Sequence, residues 1–289
     1  MPELAEVETV RRQIEKHFIG KKILSVVADD TDKYLFAFAQ SKEFKKAITG
    51  AKIVGTGRKG KYFWIELNRR PWPLFHLGMT GNIAILDPSL KSKGHENVWG
   101  GAKMWSERDQ DLRKRLLFCH LIIKMQKGLE LALIDPRRFG RVWLTEDPWQ
   151  NSRIKKLGYD PLLNFPSTQV LAEKLSKRKK AIKAVLLDQT LFAGIGNWLA
   201  DEILFQARMS PHLSASSLTK LQIKVLHKNI LSVVKKAVAV SADYERFPKN
   251  WLFHNRWGKV KDAKTFDGQK IIHEEVGGRT TAWVPGWQK

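Results

Sequence analysis

Asp188-Gln189-Thr190-Leu191-Phe192-Ala193-Gly194-Ile195-Gly196-Asn197-Trp198-Leu199-Ala200-Asp201-Glu202 is the stretch that decides how the second half of the chain is read. Two glycines break one apolar helical pattern, and residues 198–207 begin another with apolar side chains at three-four spacing. Asn197 stands where a helix N-cap is wanted. Glycines leave backbone N–H groups open and a helix N-terminus adds positive potential, so the turn suits a phosphate, with the Asn197 amide as a further donor. Outward from it, residues 170–175, 181–187 and 218–240 show the same spacing, so the chain past residue 152 is expected to be helical. Its last part breaks at Asp267-Gly268, a hairpin turn signal, and again at Gly277-Gly278.

The first half reads differently. Val7, Val10, Ile14 and Phe18 at helical spacing predict an amphipathic helix ending near Gly20. Short strands are expected at 23–28, 53–57, 62–67, 74–77, 83–86, 116–124, 129–134 and 142–145, as in an antiparallel sandwich or barrel. A charged insert over about 88–115 reads as a surface loop, and Asp147-Pro148-Trp149-Gln150-Asn151-Ser152 as a linker. The fold class is therefore α+β: an N-terminal antiparallel β-sandwich with a flanking helix, followed by a helical domain.

Charge is the compositional outlier. In 289 residues, 51 Lys+Arg stand against 29 Asp+Glu, a net charge of +22 that predicts a surface for a polyanion, most often nucleic acid. No stretch is apolar enough for a membrane span or a secretion signal, so no membrane partner is expected. One cysteine, Cys119, sits in an apolar run that reads as a buried strand; it excludes an internal disulfide and every cysteine-rich zinc site. The eight histidines show no ligand spacing, and neither metal nor cofactor is expected. Lys174, Lys177 to Lys180 and Lys183 form a basic run that fits a solvated helix face, a DNA-facing stripe or a nuclear-import signal.

The start Met1-Pro2-Glu3-Leu4-Ala5-Glu6-Val7 carries the chemistry. Removal of Met1 would expose a secondary amine beside two carboxylates. A prolyl nitrogen can attack a carbonyl-like carbon to form an iminium, and an α-amino group titrates near ~8, far below lysine. Glu3 and Glu6, three apart at a helix start, can face the same side; there they also complement the helix dipole.

Seven strings in order carry a family resemblance over nearly the whole chain. They are Pro2-Glu3-Leu4-Ala5-Glu6-Val7-Glu8, Gly60-Lys61, His76-Leu77-Gly78-Met79-Thr80-Gly81, Asp135-Pro136-Arg137-Arg138-Phe139-Gly140, Leu157-Gly158-Tyr159-Asp160-Pro161-Leu162, Gly194-Ile195-Gly196-Asn197 and Gly277-Gly278-Arg279-Thr280-Thr281. Together they resemble the formamidopyrimidine-DNA glycosylases, in the family shared with endonuclease VIII. The resemblance implies a helix–two-turns–helix element and a C-terminal finger. The finger resembles the zinc-free ones of plant and fungal members, since all four zinc-binding cysteines are missing; Phe266, Trp283 and Trp287 are expected to hold it by packing.

Roles follow from the same resemblance. Pro2 would be the nucleophile at the sugar and Glu3 the general acid/base, its carboxyl kept partly protonated by burial beside Glu6. Glu6 and Lys61 would support catalysis, and Lys61, Asn197 and Arg279 would bind phosphates around a flipped nucleotide. Met79, Arg137 and Phe139 would fill the vacated duplex as an apolar plug, a guanidinium for the orphaned base and an aromatic wedge. Implied is a bifunctional glycosylase and abasic-site lyase of base-excision repair. Oxidised purines such as 8-oxoguanine and formamidopyrimidines come first as substrates; the alternatives are oxidised pyrimidines or a catalytically silent binder. The partner would be double-stranded DNA in a basic cleft, the protein a soluble monomer, and its location the nucleus, or a bacterial-type cytoplasm if the source is not eukaryotic. Expected domains are a catalytic sandwich at 1–147, a linker at 148–160, a helix–two-turns–helix domain at 161–250 and the finger at 251–289. Alanine at position 5, where the family has proline, is expected to relax the turn without touching the chemistry.

Overall fold

A computed structural model describes residues 2–36, 40–86, 118–257 and 262–289, and the backbone of 103–105. The chain divides into two compact units, Met1–Lys155 with Ser241–Tyr244, and Lys156–Val240 with Glu245–Lys289.

The first unit begins with α1, Leu4–Phe18. Its Val7, Val10, Ile14 and Phe18 recur every three or four residues, lie on one face and are fully buried. Burying each contributes about 1.5–3 kcal/mol. After β1 (Ile23–Ala28) comes α2 (Ser41–Ile48), then β2 (Ile53–Lys59), β3 (Tyr62–Leu67), β4 (Trp72–His76), β5 (Asn82–Leu86), β6 (Lys103–Trp105), β7 (Cys119–Met125), β8 (Glu130–Ile134) and β9 (Arg141–Thr145). These pair into a five-stranded sheet ordered β1-β7-β8-β5-β6 and a four-stranded sheet ordered β2-β3-β4-β9. One apolar core joins α1 to side chains of both sheets, including Phe63, Phe75, Leu121 and Leu133.

Three features depart from the sequence expectation. Helix α2 falls where strands alone were anticipated; its Phe44 and Ile48 enter the same core. Within the 88–115 insert, residues 103–105 form β6, which runs parallel to β5 in an otherwise antiparallel sandwich. The rest of that insert, and Leu116 and Leu117 of the expected seventh strand, lie outside the described residues. Cys119 is half-buried rather than buried, and burial pushes its thiol up to about 11.

The second unit is built on helices Thr168–Ser176, Ile182–Leu187, Asn197–Gln206 and Lys220–Ala239. The last opens on a capping box in which the Thr219 and Gln222 side chains exchange bonds with each other's backbone N–H. The stretch expected as a linker carries a turn at Pro148–Gln150 and one helical turn at Ser152–Lys155, both assigned to the first unit. At the C-terminus β10 (Ile272–Val276) pairs with β11 (Arg279–Trp283) around Gly277-Gly278. Both glycines have positive φ, 64° and 75°, which a two-residue hairpin turn of this hand demands. This finger shares a small core with the Asn197–Gln206 helix: Phe205, Leu252, Ala263, Ile271, Ala282 and Val284, with Trp287 against it. Phe266 does not contribute as expected, being 68% exposed.

Candidate catalytic and DNA-binding sites

In the first unit, Pro2 precedes α1 and is half-buried, while Glu3 and Glu6 are 1% and 0% exposed. The Glu3 N–H donates to Glu6 Oε2 at 3.0 Å and the Glu3 side chain faces the Glu6 amide, a capping box made of two carboxylates. Tyr244 Oη donates to Glu6 Oε1 at 2.9 Å. Burial, and after it the charge of Glu3, raises Glu6 from 4.5 to about 7 against these hydrogen bonds. The carboxyl raised toward neutrality is thus Glu6.

Behind this pair lies a group the sequence reading missed. Glu8 accepts from Arg11 Nη2 at 2.9 Å, Arg12 Nε at 2.8 Å and Arg58 Nε at 2.9 Å. Burial alone would raise its carboxyl, but the Arg11 hydrogen bonds and the charges of Arg58 and Arg11 outweigh it and hold Glu8 at about 2. Arg58 also donates from Nη1 to Gly60 O at 3.0 Å. The β2–β3 turn that carries Lys61 is therefore tied to α1, the helix that carries Glu3. An arginine at 58 and a glutamate at 8, fifty residues apart, leave no local pattern by which to find them. Near Lys61, burial and then the charges of Lys61 and Arg141 push His76 down to about 4, so the ring is neutral. Its Nδ1 accepts from the Gly78 amide at 3.1 Å, which leaves the proton on Nε2.

Met79, Arg137 and Phe139 come together on two touching loops. Gly78, at φ +63°, approaches so closely that a Cβ there would meet the Phe139 carbonyl carbon at 2.4 Å. Met79 is half-buried, while Arg137 and Phe139 are exposed, with the guanidinium 5.0 Å from the ring centre.

In the second unit the Gly194–Gly196 turn is stapled by Gln189, which accepts from the Gly194 N–H at 2.9 Å and donates to Ile195 O at 2.7 Å. Gly196, not Asn197, is the N-cap; Asn197 is the first residue of the helix. Its Nδ2 donates to Thr280 O at 2.8 Å, the residue next to exposed Arg279. The Asn197 amide is thereby held on the strand that carries Arg279, and the buried Asn197 Oδ1 has no partner among the described residues.

Lys183 leaves the basic run it was grouped with. It is fully buried, paired with Asp201 and donating to Asn197 O at 3.1 Å. Asp201 also accepts from Arg256 Nη2 at 2.5 Å and from the Ala282 amide of the finger at 3.3 Å. Among the described residues no cluster of His, Cys, Asp and Glu is suited to hold a metal, and no helix is long and apolar enough to cross a membrane.

A β-sandwich led by a Pro-Glu helix start, with a helix–two-turns–helix module and a hairpin finger in the second unit, defines the class of helix–two-turns–helix DNA-repair glycosylases. Residues 1–142 match the model of the formamidopyrimidine-DNA glycosylase N-terminal domain, and 157–248 that of the formamidopyrimidine-DNA glycosylase H2TH domain. The chain belongs to the formamidopyrimidine-DNA glycosylase family. It is 42% identical to a formamidopyrimidine-DNA glycosylase of Arabidopsis thaliana over 290 residues, covering 100% of this chain and 71% of the relative. Among solved structures, Lactococcus lactis Fpg in complex with abasic-site DNA is 28% identical, with a TM-score of 0.77 over 99% of each chain. MutM in complex with DNA containing carbocyclic 8-oxo-G is 30% identical, with a TM-score of 0.78 over 100% of each chain.

Proposed function

We propose that this protein excises oxidised purines from duplex DNA and cuts the strand at the abasic site it makes, using the amine of Pro2 after removal of Met1. The observation that carries the reading is Pro2 directly ahead of a buried Glu3–Glu6 pair in which Glu6 titrates at about 7. The Pro2 nitrogen attacks the sugar C1′, the C–N bond to the damaged base breaks, and the base leaves with that electron pair and takes up a proton. Glu3 protonates the ring oxygen so that the sugar opens to an iminium. Loss of a C2′ proton then expels the 3′ phosphate, and a second elimination expels the 5′ phosphate; hydrolysis of the iminium frees the enzyme. Glu6 stores the exchangeable proton beside this site.

Lys61, in the first unit, holds backbone phosphates of the DNA, and so do Asn197 and Arg279 in the second. The bond from Asn197 to the strand that carries Arg279 supports the second half of that reading. Met79, Arg137 and Phe139 occupy the space left by the extruded nucleotide, as their joined loops support. The protein binds duplex DNA, and +22 of net charge is the electrostatic basis for it. The exposed part of the basic run, Lys174, Lys177, Lys179 and Lys180, fits nuclear import.

The test is strand cutting with purified protein, Met1 removed, on duplexes carrying 8-oxoguanine or thymine glycol. The reading predicts a gap with phosphate on both ends and a faster rate on 8-oxoguanine. Equal binding of both duplexes with no cutting would instead make the protein a silent binder, and faster cutting of thymine glycol would reverse the substrate preference.

A further inference from the structure

We propose that Asp135 is a positioning residue that sets discrimination for the base opposite the lesion. The proposal rests on the functional reading above, in which Met79, Arg137 and Phe139 enter the vacated stack. Asp135 is 1% exposed and lies where the two loops carrying those side chains meet. Its Oδ1 accepts from Thr80 Oγ1 at 2.5 Å and from the Arg137 amide at 3.2 Å. Its Oδ2 accepts from the Gly140 amide at 2.6 Å. One carboxylate therefore fixes the residue after Met79, the backbone of Arg137, and the residue after Phe139.

The residue's backbone adds to the clamp. Its carbonyl accepts from the Arg138 amide at 3.2 Å and from His120 Nε2 at 2.9 Å, and its N–H donates to Phe118 O at 2.8 Å. The far side of the His120 ring faces Asp32 Oδ2 at 3.5 Å. Arg138 takes a positive φ of 55°, which turns the chain tightly enough for the Arg137 and Gly140 amides to point at the same side chain.

Three donors converge on two oxygens, so the site needs a group that only accepts. Asparagine has the same shape but presents an NH2 to one of those donors. Asp135 touches no DNA in this role; it acts through the Arg137 guanidinium, whose direction depends on its backbone and on the Phe139 ring beneath it. A small misplacement of a recognition group is enough to alter selectivity.

The test uses the full chain with Met1 removed. Single-turnover excision of 8-oxoguanine is measured opposite each of the four bases, beside cutting of a single-stranded abasic oligonucleotide that offers no stack to fill. For Asp135→Asn the duplex rate should fall at least about tenfold more than the single-strand rate, and the ratio between best and worst opposite base should collapse toward one. Thr80→Val should show a smaller change in the same direction, and Thr80→Ser should restore the wild-type ratio. A folded Asp135→Asn that keeps the wild-type ratio, or loses both activities equally, would overturn the proposal. If that variant does not fold, Thr80→Val decides by the same criteria. A wild type that cuts neither substrate overturns the functional reading, and the proposal with it.

Discussion

Arg58 Nε donates to Glu8 Oε2 at 2.9 Å, with the two side chains only 1% and 8% exposed. This ion pair joins α1, the helix capped by Glu3, to the turn that presents Lys61, so it sets the spacing between the candidate acid and a candidate phosphate ligand. Removing one member leaves a charge poorly compensated in the interior. Because Arg11 and Arg12 stay on Glu8, Arg58→Met should destabilise the protein by about 2 kcal/mol rather than the full penalty of an orphaned charge, as measured by urea denaturation. A change within error would show that the pair is dispensable.

The same carboxylate makes stability depend on acid. Glu8 titrates at about 2 in the folded protein against an ordinary 4.5. Its contribution is therefore complete above the unfolded value and fades as pH falls from there through the folded one. Arg58→Met should move the acid-unfolding midpoint to higher pH, and circular dichroism across that range measures it.

Glu6 behaves in the opposite sense. Its folded value, about 7, lies above 4.5, so protonated Glu6 favours the fold below 4.5 and that contribution is lost as pH rises through 7. Glu6→Gln should flatten the stability profile over this window. Tyr244 lowers the Glu6 value by donating to it. Tyr244→Phe should consequently shift the neutral limb of the single-turnover rate to higher pH, and an unmoved limb would remove Glu6 from the proton chemistry.

The finger needs a different experiment. Phe266 is 68% exposed, whereas Trp287 stacks on Phe205 with ring centres 6.2 Å apart and lies under Arg208. Phe266→Ala should change stability by less than about 0.5 kcal/mol and Trp287→Ala by about 2 kcal/mol or more, read from thermal unfolding.

Lys183 is the clearest case of a surface-looking residue with an interior role. Lys183→Met should cost about 3 kcal/mol by urea denaturation, because Asp201 loses one of its two buried cations. Loss of DNA affinity with unchanged stability would return Lys183 to the DNA-facing stripe.

Local patterning made much of this molecule legible. Val7, Val10, Ile14 and Phe18 announced α1, and β1 and β3 fell on the expected residues, because each buries one face against a single core. Helix α2 escaped because eight residues carry only two core side chains, Phe44 and Ile48, too few for a period to stand out. The Gly196-Asn197 turn was found, but the cap was assigned to the better side-chain acceptor. The chain instead uses Gly196 in an extended conformation and sends the Asn197 amide to the finger. Asp201, Arg256 and Arg58 were unreadable for a shared reason: each pairs with a partner distant in sequence, and a lone charged residue in a chain with 51 Lys+Arg looks like surface.

Covalent attachment of DNA to the Pro2 nitrogen is the step on which the proposed reaction stands. Borohydride reduction during reaction with an 8-oxoguanine duplex, followed by mass spectrometry of the N-terminal peptide, tests it directly. The account predicts a reduced sugar adduct on Pro2, absent from protein that retains Met1 or is acetylated at its terminus. An adduct on a lysine side chain, or none from correctly processed protein that still releases the base, would contradict it.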